Sequence, residues 1–548
     1  MRRAVALAIA AALLFGALIL PNHPGRMSLP EVARFPLEFP VLILGMVALG
    51  GWLWMRWAAP LFVAVILLAA VFVKLTDTAM FAAYNRPFNP SLDLFLIKAG
   101  TGLLRDSIGT VGVLLAWIGA VVGLVAVFAA LWWALGQWAR VIAGRPARLA
   151  AGGTAAICAA LTLADAGDRL KWWDMPRPLL GSAFTTRLML DRGATVAATA
   201  ADLAAFRAVA SADPYEDASG LFNMIGDRDV LIIYIESYGR ASIDNQLYAP
   251  THIATLRAAE AAIAEAGLSM RSGWLGAPTA GGQSWLAHGA LFSGLWTTNQ
   301  GRYNAMLTAG RRSLFHLAAE AGFRTAAVMP AITIGWPESS LMGFETILEA
   351  DDMGYDGAGF GWVTMPDQYT LAAFPDLIGD DPRREFIQIA LISSHAPWTP
   401  VAQMVAWDVA ADGPIYNAMA AAGPTPREVW SDHDTVRDHY RQSIDYTLQA
   451  AMSFAARQGP SAPLILILGD HPPAGFVSQI GGVDVPAHLI GPADLLARID
   501  GWGWTPGLIP AADVLSHRLD KFRDRFIEAF TTGATTGTKV GATVGAGG

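Results

Sequence analysis

Cysteine is almost missing from this chain. Cys158 is the single one among 548 residues, so no disulfide can close within the chain and no cysteine-built metal site can form. Any metal ion must therefore be held by histidine, aspartate or glutamate. Charge is scarce as well: Asp, Glu, Lys and Arg make up 15% of the residues, against about 25% in ordinary soluble domains. The deficit is concentrated in the first 165 residues, while the remainder has the composition of a globular protein. Runs of lysine or arginine are also lacking, and the net charge is -8. Together these exclude a simple nucleic-acid binder, which needs a basic stripe for the phosphate backbone.

What is present is hydrophobic sequence, 53% of the chain. Five apolar stretches stand out, at residues 4–20, 40–55, 58–73, 109–135 and 149–163. With their flanks they approach the roughly 20 residues that cross a bilayer as a helix. Arg2 and Arg3 precede the first stretch, but no small-x-small cleavage site follows Leu20, so it is expected to remain as a span. Arg2 and Arg3, Arg56, and the group Arg140, Arg145 and Arg148 fall on one side if the five spans alternate. The positive-inside rule makes that side cytoplasmic and puts everything after the fifth span outside. Residues 91–107 mix apolar side chains with Asp93, Lys98 and Arg105, as expected of a helix along the membrane surface or of a plain connector.

Residues 166–225 read as a helical linker and residues 531–548, rich in Gly, Thr and Ala, as a disordered tail. Between them, over residues 226–530, β-branched runs at 229–235, 324–329, 385–392 and 463–468 alternate with helical stretches such as 252–266 and 440–456. Continuous apolar strands separated by helices predict an α/β domain whose central sheet is mainly parallel and covered on both faces.

Ligands of open α/β sheets bind beyond the carboxyl ends of the strands. The first strand here runs into Glu236, the run at 385–392 into His395, and the run at 463–468 into Asp470-His471. Three strands thus deliver carboxylate and imidazole groups to one edge. Glu236, Asp470 and His471 make an oxygen/nitrogen set suited to one divalent ion, Zn or Mn. For a nucleophile, Ser284 opens a helix-forming stretch after the glycine-rich turn Ala280-Gly281-Gly282. There its hydroxyl either faces unpaired N–H groups that favour a phosphate or serves as a helix N-cap. Thr279, in the same loop, is the rival nucleophile.

These residues carry a resemblance. The stretch 284–294 resembles the sulfatase signature C/S/T-x-P-S-R-x-x-L-L-T-G, with Ser284 at the nucleophile and Leu291-Phe292-Ser293-Gly294 at its end. Joined to Glu236 and to Gly469-Asp470-His471, it makes the outer domain similar to the alkaline phosphatase/sulfatase superfamily. With five spans in front, the chain resembles the membrane-anchored lipid head-group transferases, the lipoteichoic acid synthases and lipid A phosphoethanolamine transferases. The resemblance implies that Glu236, Ser284, Asp470 and His471 bind the metal and that His395 contacts the phosphate. It places Trp336, Trp362 and Asp367, in the glycine-rich segment 335–369, among head-group contacts, with core or interface packing as the alternative for the tryptophans. His288 either stands in for the signature arginine or packs on its helix.

The departures are informative. Glu236 replaces a paired Asp-Asp, and Leu286 and His288 occupy the signature's Pro and Arg positions, which argues against formylglycine conversion and arylsulfatase activity. The missing disulfides favour the phosphoglycerol over the phosphoethanolamine type. The expected activity is a metal-dependent ping-pong transfer. A phospho-head group passes from a membrane phospholipid, through a phosphoryl-serine, to a lipid or glycan acceptor on the outer side of a bacterial inner membrane. A membrane-bound phosphatase, phosphodiesterase or sulfatase-like hydrolase, and a catalytically inactive lipid sensor, are the alternatives.

Overall fold

A computed structural model describes residues 1–26, 35–84, 86–175, 179, 181–361 and 363–532. Trp362 and most of the expected tail, residues 533–548, lie outside the described residues. The chain divides into two compact units, Met1–Asp202 and Leu203–Gly548.

Each of the five apolar stretches of the first unit forms a helix. These are α1 (Arg2–Ile19), α2 (Glu38–Leu49), α3 (Met55–Tyr84), α4 (Phe95–Ala139) and α5 (Arg145–Arg169). Among the described residues, four helices are long and apolar enough to cross a membrane: α1, Met55–Phe81 of α3, Gly109–Ala139 of α4, and α5. The fifth, α2, has only 12 residues, which rise about 18 Å. It packs against α5, and α1 and α3 pack against α4. Small and branched side chains fill the contacts, among them Ala10, Leu14, Ala64, Leu67, Leu131 and Leu135. The outward face of α4 stays apolar and bare, with Val111 71% and Val122 61% exposed, as a lipid-facing surface requires.

Helix α4 begins within the segment expected to lie on the membrane surface, and it breaks at Gly109, where φ is 72° and ψ 168°. A side chain is strained there, so glycine allows the apolar span to leave the preceding turns at a new angle. A further helix, α6 (Phe184–Ala210), follows α5.

The second unit is built on a nine-stranded sheet. Its strands are β1 (Val230–Ile235), β2 (Ser269–Gly276), β3 (Arg324–Met329), β4 (Thr346–Glu349), β5 (Glu385–Leu391), β6 (Leu464–Gly469), β7 (Asp484–Gly491), β8 (Thr505–Pro506) and β9 (His517–Arg518). Their order is β8-β2-β7-β6-β1-β5-β3-β4, with β9 beside β2. The central run from β6 to β4 is parallel, and β7, β2 and β8 extend it with antiparallel pairings. Every residue of β1 is buried. Leu231, Ile233 and Ile235 face a core shared with helix α7 (Ala249–Glu265) and helix α9 (His433–Ala456). Val230, Ile232 and Tyr234 face the other, shared with helix α8 (Ser284–Ser293).

The register sets up the site. Ile235 is paired with Leu391 of β5 on one side and Gly469 of β6 on the other. The residues that follow these three therefore leave the sheet side by side. Gly469 is required there, because a Cβ would lie 1.9 Å from the Tyr238 carbonyl oxygen.

Candidate active site

Glu236, the first residue after β1, and Asp470 and His471, directly after β6, are all buried. Their ligand atoms lie within 4.8 Å of one another. Ser284 is the first residue of α8. Its hydroxyl donates to Glu236 Oε2 at 2.7 Å and lies 3.2 Å from His471 Nε2. His471 Nε2 is 3.2 Å from Glu236 Oε1 and 3.9 Å from Asp470 Oδ1. A tetrahedral metal site with bonds of about 2.0–2.2 Å separates its ligand atoms by roughly 3.3–3.6 Å. The observed spacings bracket that value, so the four side chains fit one small divalent cation.

The electrostatics agree with that fit. Burial raises the Glu236 carboxyl, but the adjoining His471 imidazolium, helped by the His395 charge, outweighs it and holds the group well below the usual carboxylate range. Burial, reinforced by the Glu236 charge, pushes Asp470 up to about 8. Burial opposes charge on His471, yet the Asp470 and Glu236 carboxylates push it up to about 9. Of the two carboxyl groups out of water, Asp470 thus retains its proton beside the ionised Glu236, which limits their mutual repulsion, and a cation would serve the same end. His471 Nδ1 donates to the Pro472 carbonyl oxygen at 3.0 Å. In neutral imidazole this leaves the lone pair on Nε2, toward Ser284, as a metal-ligating histidine needs.

Backbone conformation holds the cluster in place. Ser237 has φ 60° and Gln283, preceding Ser284, has φ 68°, both in the left-handed region that side chains seldom adopt. Ser237 donates its N–H to Asp470 Oδ1 at 2.9 Å and its hydroxyl to Glu236 Oε1 at 2.9 Å, and its carbonyl accepts from the Tyr440 hydroxyl at 2.9 Å. Ser394 donates to the Glu236 carbonyl oxygen at 2.7 Å, tying the exit of β5 to that of β1. Sequence reasoning missed Ser237 and Ser394. The one available signal was their position, immediately after Glu236 and immediately before His395.

His395 is half-buried, and its Nδ1 donates to the Ala396 carbonyl oxygen at 2.6 Å. Thr279, the rival nucleophile, donates its hydroxyl to the Gly282 carbonyl oxygen at 2.9 Å and so closes the turn before α8. His288 sits one turn along α8 from Ser284, buried and packed against Tyr234 with ring centroids 3.9 Å apart and the planes tilted by 31°. Burial pushes its ring down to about 3, so it is neutral packing rather than a cationic replacement for the signature arginine.

Asp367 also departs from expectation. It is fully buried and accepts from the Ile392 and Ser393 N–H groups at 2.7 and 2.9 Å and from the Thr447 hydroxyl at 2.7 Å. Its carboxylate fixes the turn that carries His395, and it cannot face a head group. Trp336 is half-buried against Phe344, at 6.1 Å between rings.

No protein-family model and no curated protein matches the sequence. Among solved structures, the chain is similar to the integral membrane lipooligosaccharide phosphoethanolamine transferase A of Neisseria meningitidis. That match has 13% identity over 95% of both chains and a TM-score of 0.47. It is also similar to a phosphoglycerol transferase of Streptococcus pyogenes in complex with sn-glycerol-1-phosphate, at 13% identity over 60% of this chain and 81% of that one, TM-score 0.35. A lipoteichoic acid synthase of Listeria monocytogenes matches at 10% identity over 59% and 76% of the two chains, TM-score 0.35. These are distant likenesses.

Proposed function

We propose that this chain is a metal-dependent, membrane-anchored phosphotransferase of the alkaline phosphatase/sulfatase type. It moves a phospho-head group, phosphoglycerol or phosphoethanolamine in kind, from a membrane phospholipid to a lipid or glycan acceptor in the bacterial envelope. The observation that carries this reading is the Ser284 hydroxyl, 2.7 Å from Glu236 and 3.2 Å from His471 at the start of a helix. A hydroxyl so placed, on the first residue of a helix and beside a carboxylate and an imidazole, is a nucleophile aimed where the positive end of the helix favours a phosphoryl group.

Glu236, Ser284, Asp470 and His471 would hold the ion, Zn or Mn. When bound, it supplies Lewis acidity that favours the serine alkoxide and offsets charge on the phosphoryl group. In the first half-reaction Ser284 Oγ forms a bond to phosphorus, its proton passing toward Glu236. The bond from phosphorus to the lipid glycerol oxygen breaks, and diacylglycerol leaves. His395, with Nδ1 committed to the Ala396 carbonyl, presents Nε2 to donate the proton that the departing oxygen takes up. In the second half, an acceptor hydroxyl attacks phosphorus and gives its proton to His395, the bond from phosphorus to Ser284 Oγ breaks, and Ser284 takes back the proton held at Glu236.

The same proposal puts the membrane domain at residues 1–165, a helical linker at 166–225 and the catalytic domain at 226–530, outside the inner membrane. Tethering suits a donor that is itself held in the bilayer, because it raises the enzyme's effective concentration there. Purified protein with phospholipid donor should release diacylglycerol, and Ser284→Ala should abolish that release while leaving the fold intact. Undiminished release from Ser284→Ala would overturn the proposal.

A further inference from the structure

One end of the membrane unit gathers arginines without carboxylates. The starts of α1, α3 and α5 meet the ends of α2 and α4 there. Arg3, at the start of α1, donates from Nη2 to the Arg140 carbonyl oxygen at 2.9 Å. Arg56, at the start of α3, donates from Nε to the Gly50 carbonyl oxygen at 2.7 Å. The Arg140 guanidinium stands 4.9 Å from the centre of the Trp57 ring. Arg148, in the first turn of α5, lies over the α2–α3 turn, where a Cβ on Gly51 would collide with its guanidinium. Four cations thus surround one turn.

Their charge is not answered within the unit. Residues 1–30, 39–76 and 107–164 contain no Asp or Glu. Among the described residues, the ion pairs of this unit belong instead to Arg86, Arg169 and Arg192. The carbonyls at the ends of α2 and α4 occupy one N–H each of Arg56 and Arg3, and a guanidinium has five. Arg148 Nε is buried and has no acceptor. Guanidinium forks match phosphate oxygens.

Beside the cations lies an apolar, aromatic surface. Trp54 is 65% and Ile142 82% exposed, with Trp52, Leu53 and Trp57 exposed near them. Indole rings at a helix end favour the level of the lipid head groups. A free anion would use only the arginines, whereas a phospholipid uses the rings as well. A zwitterionic lipid brings its own cation to a place that already has too many. Charge complementarity therefore selects an anionic phospholipid.

We propose that the α2–α3 turn and the end of α4 bind an anionic phospholipid of the leaflet on this side. Its phosphodiester meets Arg140 and Arg148, and its glycerol and acyl chains lie beside Trp54 and Trp57. The site rests on the membrane-spanning reading of α1 to α5 and on nothing in the second unit. The test uses the full chain in neutral detergent with a phosphatidylglycerol that carries a photoreactive group close to its glycerol. After irradiation, peptide mass spectrometry should find the label concentrated in residues 52–57 and 132–142. Labelling there reads this site alone, so its outcome is separate from that of the Ser284 chemistry.

Each basic residue at an anionic lipid surface contributes about fivefold. Arg140→Gln/Arg148→Gln should therefore lower labelling of these peptides on the order of tenfold or more. Arg140→Lys/Arg148→Lys keeps the charge and loses the forks; it should lower labelling severalfold, and it serves if the first variant inserts poorly. Unlabelled phosphatidylglycerol should compete, while phosphatidylethanolamine and inorganic phosphate at the same concentration should not. Undiminished labelling in both variants, or absence of label from both peptides, would overturn the proposal. So would equal competition by phosphatidylethanolamine, which removes the selection by charge, or displacement by inorganic phosphate, which marks a free-anion site.

Discussion

The two units bury ionisable side chains in opposite ways. In the membrane unit the buried charges of Asp77 and Lys74 have answering groups. Asp77 accepts from Arg192 at 2.8 Å, from Asn22 at 3.0 Å and from the Phe88 N–H at 2.9 Å, while Lys74 caps the carbonyls that end α1. In the outer unit, Glu236 and Asp470 stand together with one histidine between them, and their balance is met by retained protons. Burial alone therefore does not mark a functional group. A buried charge that is saturated by its partners supports structure, whereas a buried excess of one sign marks a place for a counter-ion.

The largest expected difference between the two regions lies in metal content. Asp470→Asn keeps an acceptor for the Ser237 and His471 N–H groups but removes a charged ligand. Metal affinity should fall on the order of a hundredfold or more, with little change in melting temperature of the metal-free protein. Metal analysis after dialysis reads this, and unchanged occupancy would place the ion elsewhere.

Asp77→Asn should do the reverse. Arg192 would keep its half-exposed partner Asp191 but lose the buried one, and breaking a buried pair costs at most about 3–5 kcal/mol. Thermal unfolding in detergent should therefore drop by several degrees, while metal per folded molecule stays the same. A melting temperature equal to wild type would show that the membrane unit's buried pair is not structural.

A smaller effect concerns pH. The folded-state pKa of His471 is raised to about 9 and that of Asp470 to about 8. A raised pKa contributes stability below the unfolded value, and that contribution is lost as pH rises through the folded value. For His471 the loss runs from about 6.5 to 9, and for Asp470 from about 4 to 8. Glu236, held low, contributes its stability above the ordinary carboxylate range and does not oppose this trend. The melting temperature of metal-free protein should fall between pH 6.5 and 9, and added Zn should flatten the slope. A slope that rises with pH would contradict the protonation pattern.

Much of the site was legible because the strands that build it are continuous apolar runs. β1, β3, β5 and β6 fall where their β-branched residues predict, and a strand end is where a ligand group on an open sheet belongs. Strands β2 and β7 were not legible. Arg271, Ser272 and Gly273 interrupt the first, Pro486 and His488 the second, and their antiparallel pairing comes from tertiary context. The helix expected over residues 440–456 extends back to His433 because Asp432 accepts from the Thr435 N–H at 2.9 Å and caps it. Asp367 was misplaced for a physical reason. A carboxylate in a glycine-rich segment has the composition of a ligand contact, and only the fold shows that backbone N–H groups saturate it. The left-handed conformations of Ser237 and Gln283 leave no trace in composition.

The most direct test of the central claim is to ask which hydroxyl carries the head group. Ser284 meets Glu236 and His471, whereas Thr279 is bonded to its own loop. After brief incubation with phospholipid donor and acid quench, peptide mass spectrometry should find head-group phosphate on Ser284. Thr279→Ala should lower turnover by about tenfold at most, as expected of a residue that only supports the loop. A modified Thr279 beside an unmodified Ser284 would contradict the account and transfer the nucleophile's role.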